Sequence, residues 1–234
     1  MNGSDAVQLR GQNLISESPG DQFPASVSRG AWAGIIGPAL FTAAFLVQEV
    51  FRRGEYDPLA EPISALEAGP NGWIQQANFV VFGLLTIAFA VALNRGTRPI
   101  RAGVAGPALL FASGIGLLLA AAFPLSEDAA GVTIQPAGHI VAGSTFFLSS
   151  ALGLIVVSRR LARDPRWQNI STYTLVAGIV ALVGFAVGGA LVVPDIAPLH
   201  DWAGLYQRLI VLAIIFPCRI VLSLRLRQVA TGRR

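Results

Sequence analysis

A single cysteine, Cys218, excludes an internal disulfide, and with no Cys-x-x-Cys pair the chain has no thiol redox or zinc-thiolate motif. Cys218 reads as a small buried residue. Charge is scarce as well. Only 13% of residues are charged, about half the usual share of a soluble domain, which excludes an ordinary water-soluble fold. Lysine is missing altogether, so all 17 basic residues are arginine. Histidine occurs twice, as His139 and His200. No Gly-rich phosphate cradle, His-x-x-x-His pair or Gly-x-Ser-x-Gly elbow is present. The arginine-bearing loops are also too short to hold a catalytic domain.

What remains is apolar. Hydrophobic residues make up 53% of the chain and the mean hydropathy is +0.61. Six runs of about twenty apolar residues are each long enough to cross a hydrocarbon core of roughly 30 Å. They fall at Ala31–Phe51, Trp73–Leu93, Ala102–Phe123, Gly138–Val157, Thr172–Val193 and Ala203–Leu224. The expected fold is therefore all-α, a polytopic six-helix transmembrane bundle spanning residues 29–225. Residues 1–28 are polar and lack an apolar core, so they read as a flexible cytoplasmic tail and not as a cleaved signal peptide. Residues 226–234 form a basic cytoplasmic tail.

The arginines sort by side. Arg10 and Arg29 precede the first span, and Arg95, Arg98 and Arg101 separate the second from the third. Arg159, Arg160, Arg163 and Arg166 follow the fourth span, and Arg225, Arg227, Arg233 and Arg234 end the chain. The opposite loops hold only Arg52 and Arg53, with most of the carboxylates. This positive-inside pattern puts both termini in the cytoplasm of a cell-membrane protein. It accounts for the net charge of +4 without a nucleic-acid partner.

The most elaborate connection is the one leading into the second span, from Asp57 to Phe79. It is crowded with Pro, Gly, carboxylates and amides. Asn71, Gln75 and Asn78 stand at i, i+4, i+7 and so are expected on one helical face, with Thr86 continuing the stripe. Two octets also match at all but their third and fourth positions, Ala33-Gly34-Ile35-Ile36-Gly37-Pro38-Ala39-Leu40 and Ala102-Gly103-Val104-Ala105-Gly106-Pro107-Ala108-Leu109. With His139-x-x-Ala142-Gly143 and His200-x-x-Ala203-Gly204, they suggest three related helical hairpins. Pro38, Pro107 and Pro217 are expected to mark kinks.

This topology brings Asp57, Ser64, Asn71, Gln75, Asn78, His139, His200, Asp201, Gln207 and Arg208 to the outer end of the bundle. Arg208 lies roughly 7–8 Å inside the sixth span at 1.5 Å per residue. An intramembrane cation needs a partner, and Glu49 and Asp57 are the candidates. If it finds one, the pair locks the sixth helix to the first. Arg219, toward the other end of that helix, is expected to snorkel to the interface. His139 and His200, with Asp201 or Asp128, could hold zinc with one position open for water. A triad on Ser64 would lack the usual strained elbow. Trp73, Trp202 and Tyr206 at one interface, and Trp32 and Tyr173 at the other, fit aromatic belts.

Asp57-Pro58, Pro62-Ile63-Ser64, Gly69-Pro70-Asn71-Gly72-Trp73-Ile74-Gln75, Asn78-Phe79, His139 and Gly204-Leu205-Tyr206-Gln207-Arg208 carry a resemblance. With these residues the chain resembles the prokaryotic integral-membrane family catalogued as domain of unknown function 998. The resemblance spans all six helices, roughly Ala31 to Leu224. Members often carry Phe-Pro followed by Thr-Asp after the third helix, where this chain has Phe123-Pro124-Leu125-Ser126-Glu127-Asp128. The resemblance implies the six-helix fold and supplies no activity.

Three readings follow. One is an outward polar cup that binds a lipid headgroup or small polar ligand through Asp57, Ser64, Asn71, Gln75, Asn78, Gln207 and Arg208, with no cofactor. The second is a membrane-embedded metal-dependent hydrolase of lipid amide or ester bonds. The third is a scaffold or interaction subunit. The expected partners are the bilayer itself, such a ligand and a second copy in a homo-oligomer. A transporter is disfavoured because no span carries a mid-membrane carboxylate.

Overall fold

The structure is a computed structural model that describes residues 25–97, 103–128, 133–192 and 196–232. It contains helices α1 (Ala25–Phe51), α2 (Trp73–Gly96), α3 (Ala105–Ala122), α4 (Ala137–Leu161), α5 (Gln168–Leu191) and α6 (His200–Ala230). All six are long and apolar enough to span a bilayer. Apolar runs of this length become helices because hydrocarbon offers no partner for a backbone N–H or C=O, and a helix satisfies both within itself. Even the 18 residues of α3 reach about 27 Å at 1.5 Å per residue.

Each helix packs against the next in sequence, and α6 returns to lie on α1 with further contacts to α2 and α5. Backbones come close enough that small residues are required. A Cβ on Gly83 would sit 2.9 Å from the Gly114 carbonyl oxygen, and one on Gly114 would sit 2.8 Å from that of Gly83, so the closest approach of the α2 and α3 backbones requires glycine on both sides. The outward surface is the reverse of a soluble protein's. Leu40, Val47, Leu84, Val141, Val176 and Val183 are exposed, as helices facing acyl chains require.

The core has two halves. Phe41, Phe45, Phe79, Phe82, Phe146 and Phe216 fill the one nearer the 52–72 loop. Leu93, Leu110, Leu154, Val157, Trp167, Cys218 and Leu222 fill the other. We refer to these as the capped end and the arginine end. At the arginine end Arg160 donates to the Thr97 carbonyl (2.7 Å) and to Asn94 Oδ1 (2.8 Å), tying α4 to α2. Trp32, Trp73, Tyr173 and Trp202 are exposed, as belt residues would be. Tyr206 instead turns inward and donates to the Gly184 carbonyl of α5 at 2.7 Å.

Several boundaries differ from the sequence reading for packing reasons. Helix α1 starts at Ala25 and α6 runs to Ala230, because Val27 and Leu226 are both fully buried in the second core half. Residues 1–24 of the expected tail lie outside the described residues. Pro38 is interior to α1, but Pro107 falls in the first turn of α3, where its missing N–H has no intrahelical partner to lose. The first octet thus lies within α1, and the second straddles the start of α3. Before Pro217 the chain widens into a π-helical segment, Leu209–Ile215. Proline offers no N–H to the carbonyl one turn back, and a wide turn re-registers the bonds around it.

Candidate functional site

The 52–72 loop is folded onto the bundle end as a cap. Arg52 reaches along it to donate to the Ala68 carbonyl at 2.7 Å. The Asp57 carboxylate accepts from the Leu59 N–H (2.9 Å), closing a local turn. Ile63, Ser64, Ala65, Leu66, Glu67 and Ala68 are then all buried, the first five as a 3₁₀ turn, so the loop re-enters the protein. Gly69 (φ 74°) and Asn71 (φ 60°) turn it out again into α2.

Helix α6 begins pinned to this cap. The N–H groups of Gly204 and Leu205 donate to the carbonyls of Ala60 (3.1 Å) and Leu59 (2.9 Å). Any Cβ on Gly204 would collide with the carbonyl oxygens of Glu61 and Pro58. Gln207 Oε1 accepts the Ile63 N–H at 2.7 Å. Arg208 completes the lock. Its guanidinium donates to the Glu49 carboxylate of α1 (Nε at 3.2 Å), the Glu61 carbonyl (3.0 Å) and the Tyr56 hydroxyl (2.6 Å). Burial pushes the Tyr56 phenol up to about 12, although Arg208 beside it pulls the other way, so Tyr56 stays a neutral donor toward the Glu61 and Pro62 carbonyls.

Of the two expected partners for Arg208, Glu49 is found and Asp57 is not; Asp57 is exposed in its own turn. Asn71 is also displaced from its expected role. It precedes α2, is exposed and has left-handed backbone, so the helical stripe begins at Gln75. That stripe is buried as expected: Gln75 Oε1 accepts from Gln48 Nε2 (3.0 Å) and Asn78 Nδ2 (3.2 Å), and Asn78 also donates to the Phe41 carbonyl (3.1 Å). Ser64 is buried in the cap. These polar groups face one another and the loop backbone, so the cup of the sequence reading is filled by its own cap.

The histidines take separate posts. His139 Nδ1 lies 2.9 Å from the Phe123 carbonyl, which can only accept, so Nδ1 carries the hydrogen. His200 Nδ1 lies 3.2 Å from the Val192 carbonyl, and Asp201 is exposed in the same opening turn of α6. Among the described residues no group of three His, Cys, Asp or Glu is placed to hold a metal ion.

Two ionisable residues matter in ways the sequence reading missed. The first is Glu67. Its side chain is fully buried, with Oε2 3.3 Å from His139 Nδ1 and 3.3 Å from the Leu125 N–H, while Oε1 has no partner. Burial pushes its carboxyl up to about 8, against the Leu125 N–H, which lowers it. The signal was the apolar run Ile63, Ala65, Leu66, Ala68, too hydrophobic for a solvated loop, which carries Glu67 inward with it.

The second is Arg219, expected at an interface and found in the interior at 7% exposure. Its guanidinium lies 5.0 Å from the Phe82 ring centre and 5.2 Å from that of Phe89. These rings bracket the midpoint of α2, so the charge sits at mid-bundle depth. No acceptor among the described residues bonds it, and the carboxylates on the six helices, Glu49 and Asp201, are both at the capped end. A cation–π contact contributes about 0.5–2 kcal/mol, whereas a charge at the bilayer centre costs about 3 kcal/mol on insertion scales and more in simulation. The aromatic faces do not clearly offset that cost.

Beside the cap a lateral cleft of about 510 Å³ opens between α1 and the loop, lined by Leu46, Glu49, Val50, Arg53, Gly54, Tyr56 and Pro58. It adjoins a shallower groove of about 220 Å³ formed by Leu46, Val47, Val50 and Phe51. Leu46 and Val50 belong to both, so the groove on the bilayer-facing side of α1 continues into a cleft bearing one carboxylate, one guanidinium and one phenol.

A sequence model of the family described as "Protein of unknown function (DUF998)" matches residues 35–222, which takes in α2 to α5 complete and most of α1 and α6. Neither the curated proteins nor the solved structures include a match to the chain.

Proposed function

Because the chain belongs to the DUF998 family of proteins of unknown function, we propose its role from the site itself: a multi-pass cell-membrane protein that holds an anionic lipid headgroup in the cleft between α1 and the cap. One observation carries this reading, the continuity of the apolar groove at Leu46, Val47, Val50 and Phe51 with a cleft lined by Arg53. An acyl chain would lie in the groove where the bilayer already places acyl chains. The headgroup phosphate would meet Arg53, which is exposed and makes no ion pair among the described residues. Arg208 is committed to Glu49, Tyr56 and Glu61 and stays out of the exchange. The positive-inside rule supports an outward-facing cap and cytoplasmic termini, since Arg95, Arg159, Arg163, Arg166, Arg225 and Arg227 gather at the opposite end.

Native mass spectrometry of protein purified in mild detergent and titrated with phosphatidylglycerol tests this. Wild type should retain one lipid in preference to phosphatidylcholine, and Arg53→Ala should lose that preference while staying folded. Equal retention of both lipids by wild type, or an unchanged preference in Arg53→Ala, would overturn the reading.

A further inference from the structure

We propose that Arg219 is the anchor of an intramembrane site for one small monovalent anion, on the α6 face that meets α2 at mid-bundle depth. The argument starts from what an arginine cannot do. Its guanidinium stays protonated in proteins, and it presents five N–H donors with no acceptor. Arg219 is more than nine-tenths buried, yet its side chain makes no hydrogen bond or ion pair among the described residues. Its contacts are the ring faces of Phe82 and Phe89, with the buried Thr86 between them on the same stripe of α2. Ring faces attract the charge but accept none of the five donors in the plane of the guanidinium.

Among the described residues the neighbours give no counter-charge. Across the interface α1 contributes Gly34 and α6 contributes Ser223, whose hydroxyl is turned back to donate to the Arg219 carbonyl at 2.8 Å. The carboxylate that could have served, Glu49, is held by Arg208 at the capped end. A single uncompensated positive charge calls for a single negative one. A planar or spherical anion of one charge satisfies the in-plane donors. A lipid phosphate would have to be drawn to mid-membrane depth with its headgroup, so the ion is taken as an inorganic anion. This site is separate from the cleft at Arg53, and either can fail without the other.

The test is thermal unfolding of the full chain in a neutral detergent, titrating nitrate or chloride against gluconate at constant ionic strength. Wild type should show a saturable rise in apparent Tm of about 5 °C. Arg219→Met should show none, and should be at least as stable as wild type in gluconate. Arg53→Ala should keep the full response, which separates this site from the headgroup cleft. A wild type with no saturable response, or an Arg219→Met variant that keeps it, would overturn the proposal. Should Arg219→Met fail to fold, Arg219→Lys decides: the response should persist with its midpoint about tenfold higher, since the planar fork is lost, and an unshifted midpoint would overturn it.

Discussion

Arg208 and Arg219 stand eleven residues apart on one helix and are buried to nearly the same degree, yet their surroundings are opposite. Arg208 has a carboxylate, a phenol and a carbonyl around it, supplied by α1 and by the cap. Arg219 has two phenyl faces. The first is a finished structural lock, in which α1 and the cap both contribute acceptors. The second is a charge without an acceptor among the described residues. Burial alone therefore says little about what an intramembrane cation does; the inventory of acceptors around it says more.

The largest expected effect comes from making Arg208 resemble Arg219. Glu49→Ala leaves the Arg208 guanidinium buried without its carboxylate and should cost about 3–5 kcal/mol, read by thermal unfolding in detergent. A cost below about 1 kcal/mol would mean that the Tyr56 and Glu61 contacts suffice and the ion pair is not the lock.

A smaller effect concerns Glu67, the capped end's own incompletely partnered group. Its carboxyl is pushed from 4.5 to about 8 in the fold, so the folded state holds a proton that the unfolded chain releases. The stabilisation is fully present below about pH 4.5 and is lost as pH rises through about 8. Wild type should therefore lose stability steadily across that window, and Glu67→Gln should flatten the profile. A profile with the same slope in both proteins would place the titration elsewhere.

Arg219→Met is expected to act in the opposite direction to Glu49→Ala. Without anion it should raise stability by about 1 kcal/mol; a loss of several kcal/mol in gluconate would mean that the aromatic contacts outweigh the burial of the charge. The smallest effect is at the rim. Asn71→Gly relieves left-handed backbone that L side chains adopt at a cost, and should be neutral or stabilising by about 0.5 kcal/mol. Asn71→Ala should cost about 1 kcal/mol.

The bundle was legible because twenty-residue apolar runs in a lipid solvent have one solution. The Arg208–Glu49 pair was legible for a similar reason: a charge more than a turn inside a membrane helix must find a partner, and few carboxylates are near. The folded-in cap was not legible, because sequence spacing cannot tell whether a loop stands away from a bundle or folds into it. Ile63 and Leu66 decided that, and they drew Glu67 in behind them. Asn71 kept helical spacing from Gln75 but belongs to the turn, since Gly72 separates it from the first residue of α2. Arg219 was misjudged from its distance along the chain to the helix end; Val27 and Leu226 lengthen the buried bundle beyond that point and leave the side chain in the interior.

The π-helical segment Leu209–Ile215 lies between the two arginines and sets their relative phase about the α6 axis. Widened turns of this kind behave as a one-residue insertion into an α-helix. Rewinding the segment as α-helix with its length unchanged would turn everything beyond it by about 100° while Arg208 keeps its place in the lock, and Arg219 would leave the faces of Phe82 and Phe89. Deleting one residue would instead remove the wide turn and keep Arg219 in phase. The helix thus contains a screw joint, in which the winding of one segment, and not any change of side chain, decides where the buried charge points.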